Sequence, residues 1–327
     1  DAQESRGLGD VYKRQEIQRA AGAAWFHKMG LHTDSQHIIL AAGGQNALAA
    51  TVLGILDQGE RIGTDYVTYP GIKTIAQMIG VQLVAIQHKD FEMTKEGIYY
   101  AIQNENIKAI YVIPDFHNPT SHIMSLETRK MIAQIAQEKN ILIIEDAINN
   151  LLEDNPLPPI ASFAPEQVIC LASLSKTIAP GLRTAFIYVP EKYHCELATA
   201  LYSMNISNPS LLSTISADLI INGIADEIIM ERKKEISNRN LIVNDILNGY
   251  LLESKLTCPI RYLLLPDYFT GKSFEICALQ AGVQVFGAER FTVGNKPAEK
   301  TARISVITPS TINDLTEGAQ RLKKILS

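Results

Sequence analysis

The stretch SLSKTIAPGLR, Ser173 to Arg183, sets a lysine directly behind two serines at alternate positions and follows it with Pro-Gly and an arginine. Lys176 can attack a carbonyl when its amine is desolvated or lies near another positive charge, because either condition lowers its pKa and populates the neutral amine. Arg183 supplies the charge and the end of a buried strand supplies the desolvation. The hydroxyls of Ser173 and Ser175 and the fork of Arg183 are also donors that suit a phosphate. A solvated lysine beside a turn explains neither the alternate serines nor the arginine.

The elements that must position these groups alternate along the chain. EIQRAAGAAWFHKMGL predicts a helix ending at Gly30, and HIILAAGGQNALAATVLGIL a strand that turns through Gly43-Gly44 into a helix. RIGTDYVTYPG, VQLVAI, IKAIYVIP, ILIIED and QVICLA read as further strands, with helices over Ile72–Ile79, Lys95–Gln103 and LETRKMIAQIAQEKN between them. Short apolar runs separated by helices indicate a mostly parallel sheet covered on both faces. The fold class is therefore α/β, a three-layer large domain over residues 16–225 with connecting helices, followed by a smaller α+β domain over 226–327. Residues 1–15 have neither helical nor strand periodicity and read as a leader, non-native or disordered, outside the fold.

In an open parallel sheet ligands sit beyond the carboxyl ends of the strands. Those ends carry Gly44 and Gln45, then Tyr69, then His117 and Asn118, then Asp146, and last Ser173, Ser175 and Lys176. Taken singly, Gly-Gly is a turn, Asn118-Pro119 starts one, and Asp146 could cap a helix. Together they provide an amine nucleophile, a phosphate cradle completed by backbone N–H groups at a helix start, an acid for a pyridine nitrogen and an aromatic ring for a planar cofactor. That set describes pyridoxal 5'-phosphate.

Composition limits the alternatives. The 327 residues are 46% hydrophobic and 20% charged, enough for one large domain and a smaller one. Net charge is -5 with the basic residues dispersed, so the chain itself is expected to contact neither nucleic acid nor an anionic membrane. Cys170, Cys195, Cys258 and Cys277 form no C-x-x-C pair, which favours a reducing cytoplasm over a disulfide framework, and no metal-ligand spacing occurs. Lys233-Lys234 and Lys323-Lys324 read as solvated helix faces, and Thr308-Pro309-Ser310 as the loop and cap that open the last helix.

The pattern Ser-x-Ser-Lys-x-x-x-Pro-Gly-x-Arg, with HNPT and IIED upstream in the same order, resembles the signature of fold-type I pyridoxal phosphate-dependent aminotransferases of class I/II. GGQNAL, TYPGIK, SHIMSLETRK and ARISVITPSTINDLTEGAQRLKKIL resemble in particular the aminotransferase-like domain of MocR-type regulators in the GntR family. The resemblance implies a Schiff-base role for Lys176, pairing of Asp146 with the pyridine nitrogen, a hydrogen bond from Asn118 to the phenolic oxygen and stacking by Tyr69. Ser173, Ser175, Arg183 and the backbone at Gly44 and Gln45 would hold the phosphate, and Arg303 the substrate α-carboxylate. It also implies a homodimer. The chain departs from the family where a tyrosine is expected after the pyridine aspartate: Ile148 and Asn149 stand there, and Asn149 could donate a substitute bond to the cofactor.

Two functions follow from different classes. One is transfer of an amino group between an amino acid and a 2-oxo acid. The other is an effector-sensing module of a regulator whose winged-helix DNA-binding domain would precede residue 16.

Overall fold

The computed structural model describes residues 15–327, so the leader expected over 1–15 lies outside the described residues but for Gln15, which directly precedes the first helix. In chain order the elements begin with α1 (Glu16–Lys28), β1 (Ile38–Ala41), α2 (Gly44–Ile55), β2 (Arg61–Thr64), α3 (Pro70–Ile79) and β3 (Gln82–Ala85). A short hairpin, β4 (His88–Lys89) and β5 (Glu92–Met93), precedes α4 (Lys95–Asn104), β6 (Ala109–Val112), α5 (Leu126–Lys139), β7 (Leu142–Asp146) and β8 (Val168–Ser173). Then come α6 (Leu174–Thr177), β9 (Ala185–Tyr188), α7 (His194–Asn205), α8 (Ser210–Ile221) and α9 (Ile224–Ile246). The chain closes with β10 (Ile260–Leu264), α10 (Gly271–Gln280), β11 (Phe286–Gly287), β12 (Thr301–Ser305) and α11 (Ile312–Leu326).

Local chemistry explains most boundaries. Thr94 and Ser125 accept from the backbone N–H of Gly97 and Thr128 and so cap α4 and α5, and Gly80 ends α3 at φ +83°. Thr311, not Ser310, caps α11, because it forms a reciprocal box with Asp314.

Among the described residues seven strands form the main sheet in the order β1-β9-β8-β7-β6-β2-β3, parallel except that β9 runs against both its neighbours. Side chains alternate strictly between its faces. Ile38, Ile110, Ile143, Val168 and Phe186 pack under α1, α4, α5 and α8, whereas Ile39, Tyr111, Ile144, Ile169 and Ile187 pack under α2, α3 and α7. This is the three-layer architecture expected from the unbroken apolar runs. The strands read from the sequence do not include β9, and in the small unit β11 has only two residues before a turn at Ala288–Arg290.

A second sheet, β10-β12-β11, packs on α10 and α11 around a separate core. Helix α9 joins the two units without a break across residues 225 and 226: Ala225 and Ile229 enter the large core and Ile236 and Val243 the small one. Lys233, expected on a solvated face, donates to the Glu153 carbonyl at 2.6 Å and pins α9 to the loop after β7.

Candidate active site

The ends of β1 and β8 build an anion cradle. Gly43 adopts φ +94°, which favours glycine, and α2 starts at Gly44 with no side-chain cap, so its first N–H groups carry the positive end of the helix dipole. Ser173 ends β8, accepts from the Ser175 N–H at 3.3 Å and lies beside Gly44. Arg183 donates to the Ala42 carbonyl at 3.2 Å, and its guanidinium lies so close to Gly43 that a Cβ there would stand 2.5 Å from Nη2. An uncapped helix start, two hydroxyls and a guanidinium therefore lie next to one another along this edge.

Lys176 projects from α6, directly behind the two serines. Its side chain is accessible, as a reacting amine must be, while the surrounding protein desolvates the amine. That desolvation, with the nearby charges of Arg303 and Arg232, lowers its pKa below the ordinary lysine value.

Asp146 ends β7. Tyr111 on β6 donates to its Oδ2 at 2.8 Å, and its Oδ1 is buried without a hydrogen-bond partner among the described residues. Burial pushes the carboxyl up to about 6, against the pull of the Tyr111 hydroxyl and the Ile148 N–H. Tyr69 stands just before α3 with its ring over Gly71 and donates its hydroxyl to Gln45 Oε1 at 2.9 Å.

Arg303, on β12 of the small unit, reaches back across the fold. Its Nη1 donates to Asn118 Oδ1 at 3.3 Å, and its guanidinium sits 4.8 Å from the Phe286 ring and 5.5 Å from the Phe291 ring. No carboxylate pairs with it among the described residues, and desolvation draws its pKa down to about 10. Arg303 shares a cavity of about 590 Å³ with Tyr69, Lys73, Phe286 and Phe291.

Two sequence candidates have other partners. The Asn149 amide nitrogen donates to the carbonyls of Phe116, at 3.3 Å, and Asp115, at 3.5 Å, which commits this donor to bracing the loop that carries Asn118. His117 bonds Thr120 and lies 3.3 Å from Asp65 Oδ2, and His88 pairs with the other oxygen of the same carboxylate. Asp65 is buried, which would raise its pKa, yet the two imidazoles hold it below the usual carboxylate range.

Sequence reasoning missed Tyr111, Asp65, His88 and the aromatic pair around Arg303. Tyr111 had a signal: a phenol inside a fully buried strand needs a partner for its hydroxyl. Asp65, directly after β2, had the strand-end signal as well.

The sequence profile of aminotransferase class I and II matches residues 2–322. The chain belongs to the aminotransferase class I and II family. It is 44% identical over 309 residues to an uncharacterized HTH-type transcriptional regulator, YdeF, of Bacillus subtilis (strain 168), covering 94% of this chain and 67% of that protein. The chain spans about half the length of other curated regulators it matches, 46% of one and 44% of another. Its fold is that of solved aminotransferases. It superposes with a TM-score of 0.86 on an archaeal alanine:glyoxylate aminotransferase, at 20% identity over 98% of this chain and 86% of the other. LysN, the α-aminoadipate aminotransferase of Thermus thermophilus complexed with N-(5'-phosphopyridoxyl)-L-leucine, gives 0.83 at 20% identity over 98% and 88%. No described helix is long and apolar enough to cross a membrane.

Proposed function

We propose that this aminotransferase domain binds pyridoxal 5'-phosphate and exchanges an amino group between an amino acid and a 2-oxo acid. The observation that carries the reading is Asp146 Oδ1, a buried acceptor without a partner among the described residues, at the end of β7, the strand that pairs with β8, which leads into the lysine and the anion cradle. A protonated pyridine nitrogen fits it, and the cradle fits a phosphate. When bound, the cofactor supplies an electrophilic carbonyl and a ring that delocalises negative charge from the substrate α-carbon.

The chain's own residues do the rest. The start of α2, Ser173, Ser175 and Arg183 hold the phosphate, and Tyr69 covers the ring. Asp146 holds a proton on the ring nitrogen, and Asn118 bonds the ring hydroxyl. Arg303 receives the α-carboxylate in a planar fork, and Lys176 Nζ, whose pKa desolvation lowers, accepts the proton from the substrate α-carbon. The test follows the visible spectrum of the loaded protein: a panel of amino acids should convert its absorption band, and a 2-oxo acid should restore it. An unchanged band across the panel sinks the proposal, as does a borohydride-fixed adduct that survives Lys176→Ala.

A second reading rests on the regulator description of YdeF and the share of it that this chain spans. In that reading the same site senses an amino acid within a longer protein. We propose in either case a homodimer in the reducing cytoplasm. The exposed apolar residues Leu211 and Ile215, one turn apart on α8, and Ile206 before it support a subunit contact, and light scattering measures it.

A further inference from the structure

The cavity between α3 and the small unit bears on which amino acid the proposed exchange would accept, a preference that rests on the exchange reading above. Three cations line it, Lys73, Arg290 and Arg303, and among the described residues no carboxylate does. Their charges are not equally free. Arg290 is paired with Glu275 through Nε and Nη2, so its charge is offset. Arg303 is assigned above to the α-carboxylate. Lys73, in the first turns of α3, donates to the carbonyls of Arg290 at 2.9 Å and Thr292 at 2.7 Å. Those oxygens fix the ammonium in place without neutralising it, and one N–H remains. Helix α3 also starts without a side-chain cap, which adds partial positive charge to the wall formed by Tyr69 and Pro70.

We propose that Lys73 forms a second carboxylate subsite, so that this chain selects amino acids carrying a side-chain carboxylate and the corresponding 2-oxo diacids. A neutral side chain would cover the half-buried Lys73 with no counter-charge, which is unfavourable. A side-chain carboxylate supplies the charge, while the rings of Tyr69, Phe286 and Phe291 pack against its methylenes. A cleft lined by one sign of charge also concentrates the opposite one.

Calorimetric titration of the loaded protein at fixed ionic strength, with succinate against butyrate and glutarate against valerate, tests this without turnover. The wild type should bind the better diacid at least tenfold more tightly than its monoacid. Lys73→Gln should shrink the ratio below about threefold, and Lys73→Arg, which keeps the charge, should keep it. Equal binding of diacid and monoacid by the wild type, or a ratio that Lys73→Gln leaves intact, overturns the subsite. Melting of each variant without ligand identifies a folding loss, in which case the wild-type ratio and the arginine variant decide. Spectral conversion by leucine or alanine but not by aspartate or glutamate would refute the subsite and leave amino-group exchange standing. A diacid preference with no conversion by any amino acid would refute exchange and leave the subsite.

Discussion

Tyr111 on β6 donates its hydroxyl to Asp146 Oδ2 on the neighbouring β7 at 2.8 Å, while the other carboxylate oxygen is buried with no partner among the described residues. The sheet's alternation puts both side chains on the α2 and α3 face, where the cradle also lies. Tyr111→Phe removes this side-chain bond and leaves the carboxylate less stabilised. A lost bond to a charged acceptor costs about 1.5–3 kcal/mol, so pyridoxal phosphate should bind roughly tenfold or more weakly by fluorescence titration. Unchanged affinity would show that the hydroxyl does not support the ionised acid.

The stability of the cofactor-free protein should carry the mark of Asp146. Its carboxyl rises from the ordinary 3.8 to about 6 on burial. A folded pKa above the unfolded one means that its contribution is fully present below about pH 4 and is lost as pH rises through 6, on the order of 3 kcal/mol for a shift of this size. Urea midpoints from pH 4 to 7 should therefore fall more steeply in the wild type than in Asp146→Asn. Parallel curves would contradict the assignment. Glu145, pushed up to about 7 by burial, acts in the same direction in both proteins and cancels in the comparison.

Gly43→Ala tests the cradle. The substitution places a methyl 2.5 Å from Arg183 Nη2 at a backbone φ of +94° that disfavours alanine. The guanidinium must move, and phosphate-dependent affinity should fall at least tenfold in titrations with pyridoxal phosphate, while pyridoxal without its phosphate should respond far less. Equal losses for the two would place Arg183 elsewhere than at the phosphate.

The loop that carries Asn118 hangs on a buried ion pair. Arg129 Nη2 donates to Asp115 at 2.7 Å, both side chains are fully buried, and the same guanidinium bonds the carbonyls of Pro114, Leu157 and Pro158. Removing one partner strands the other charge, so Asp115→Ala should cost about 3–5 kcal/mol in urea unfolding. A loss below about 1 kcal/mol would mean that the carbonyls alone satisfy Arg129.

Most of this site was legible because its groups sit at local signals. Lys176, Asp146, Asn118 and Tyr69 each follow a short apolar run, and a run of that kind is a property of near neighbours in the chain. Gly43 and the start of α2 were readable in the same way, since a turn and an uncapped helix are written within a few residues.

What the sequence determined by itself was therefore the alternation of elements, the apolar faces, and the residues standing at strand ends. The tertiary structure decided which of them meet. Only strand order and sheet packing bring Arg303 to Asn118 across 185 positions, seat its guanidinium between Phe286 and Phe291, and join His117 and His88 through Asp65. The same packing gives Asn149 to loop carbonyls, turns β9 against its neighbours and ties Lys73 to the small unit. Periodicity and caps arise from interactions a few residues apart, whereas these pairings depend on how whole elements pack, and no local pattern encodes that.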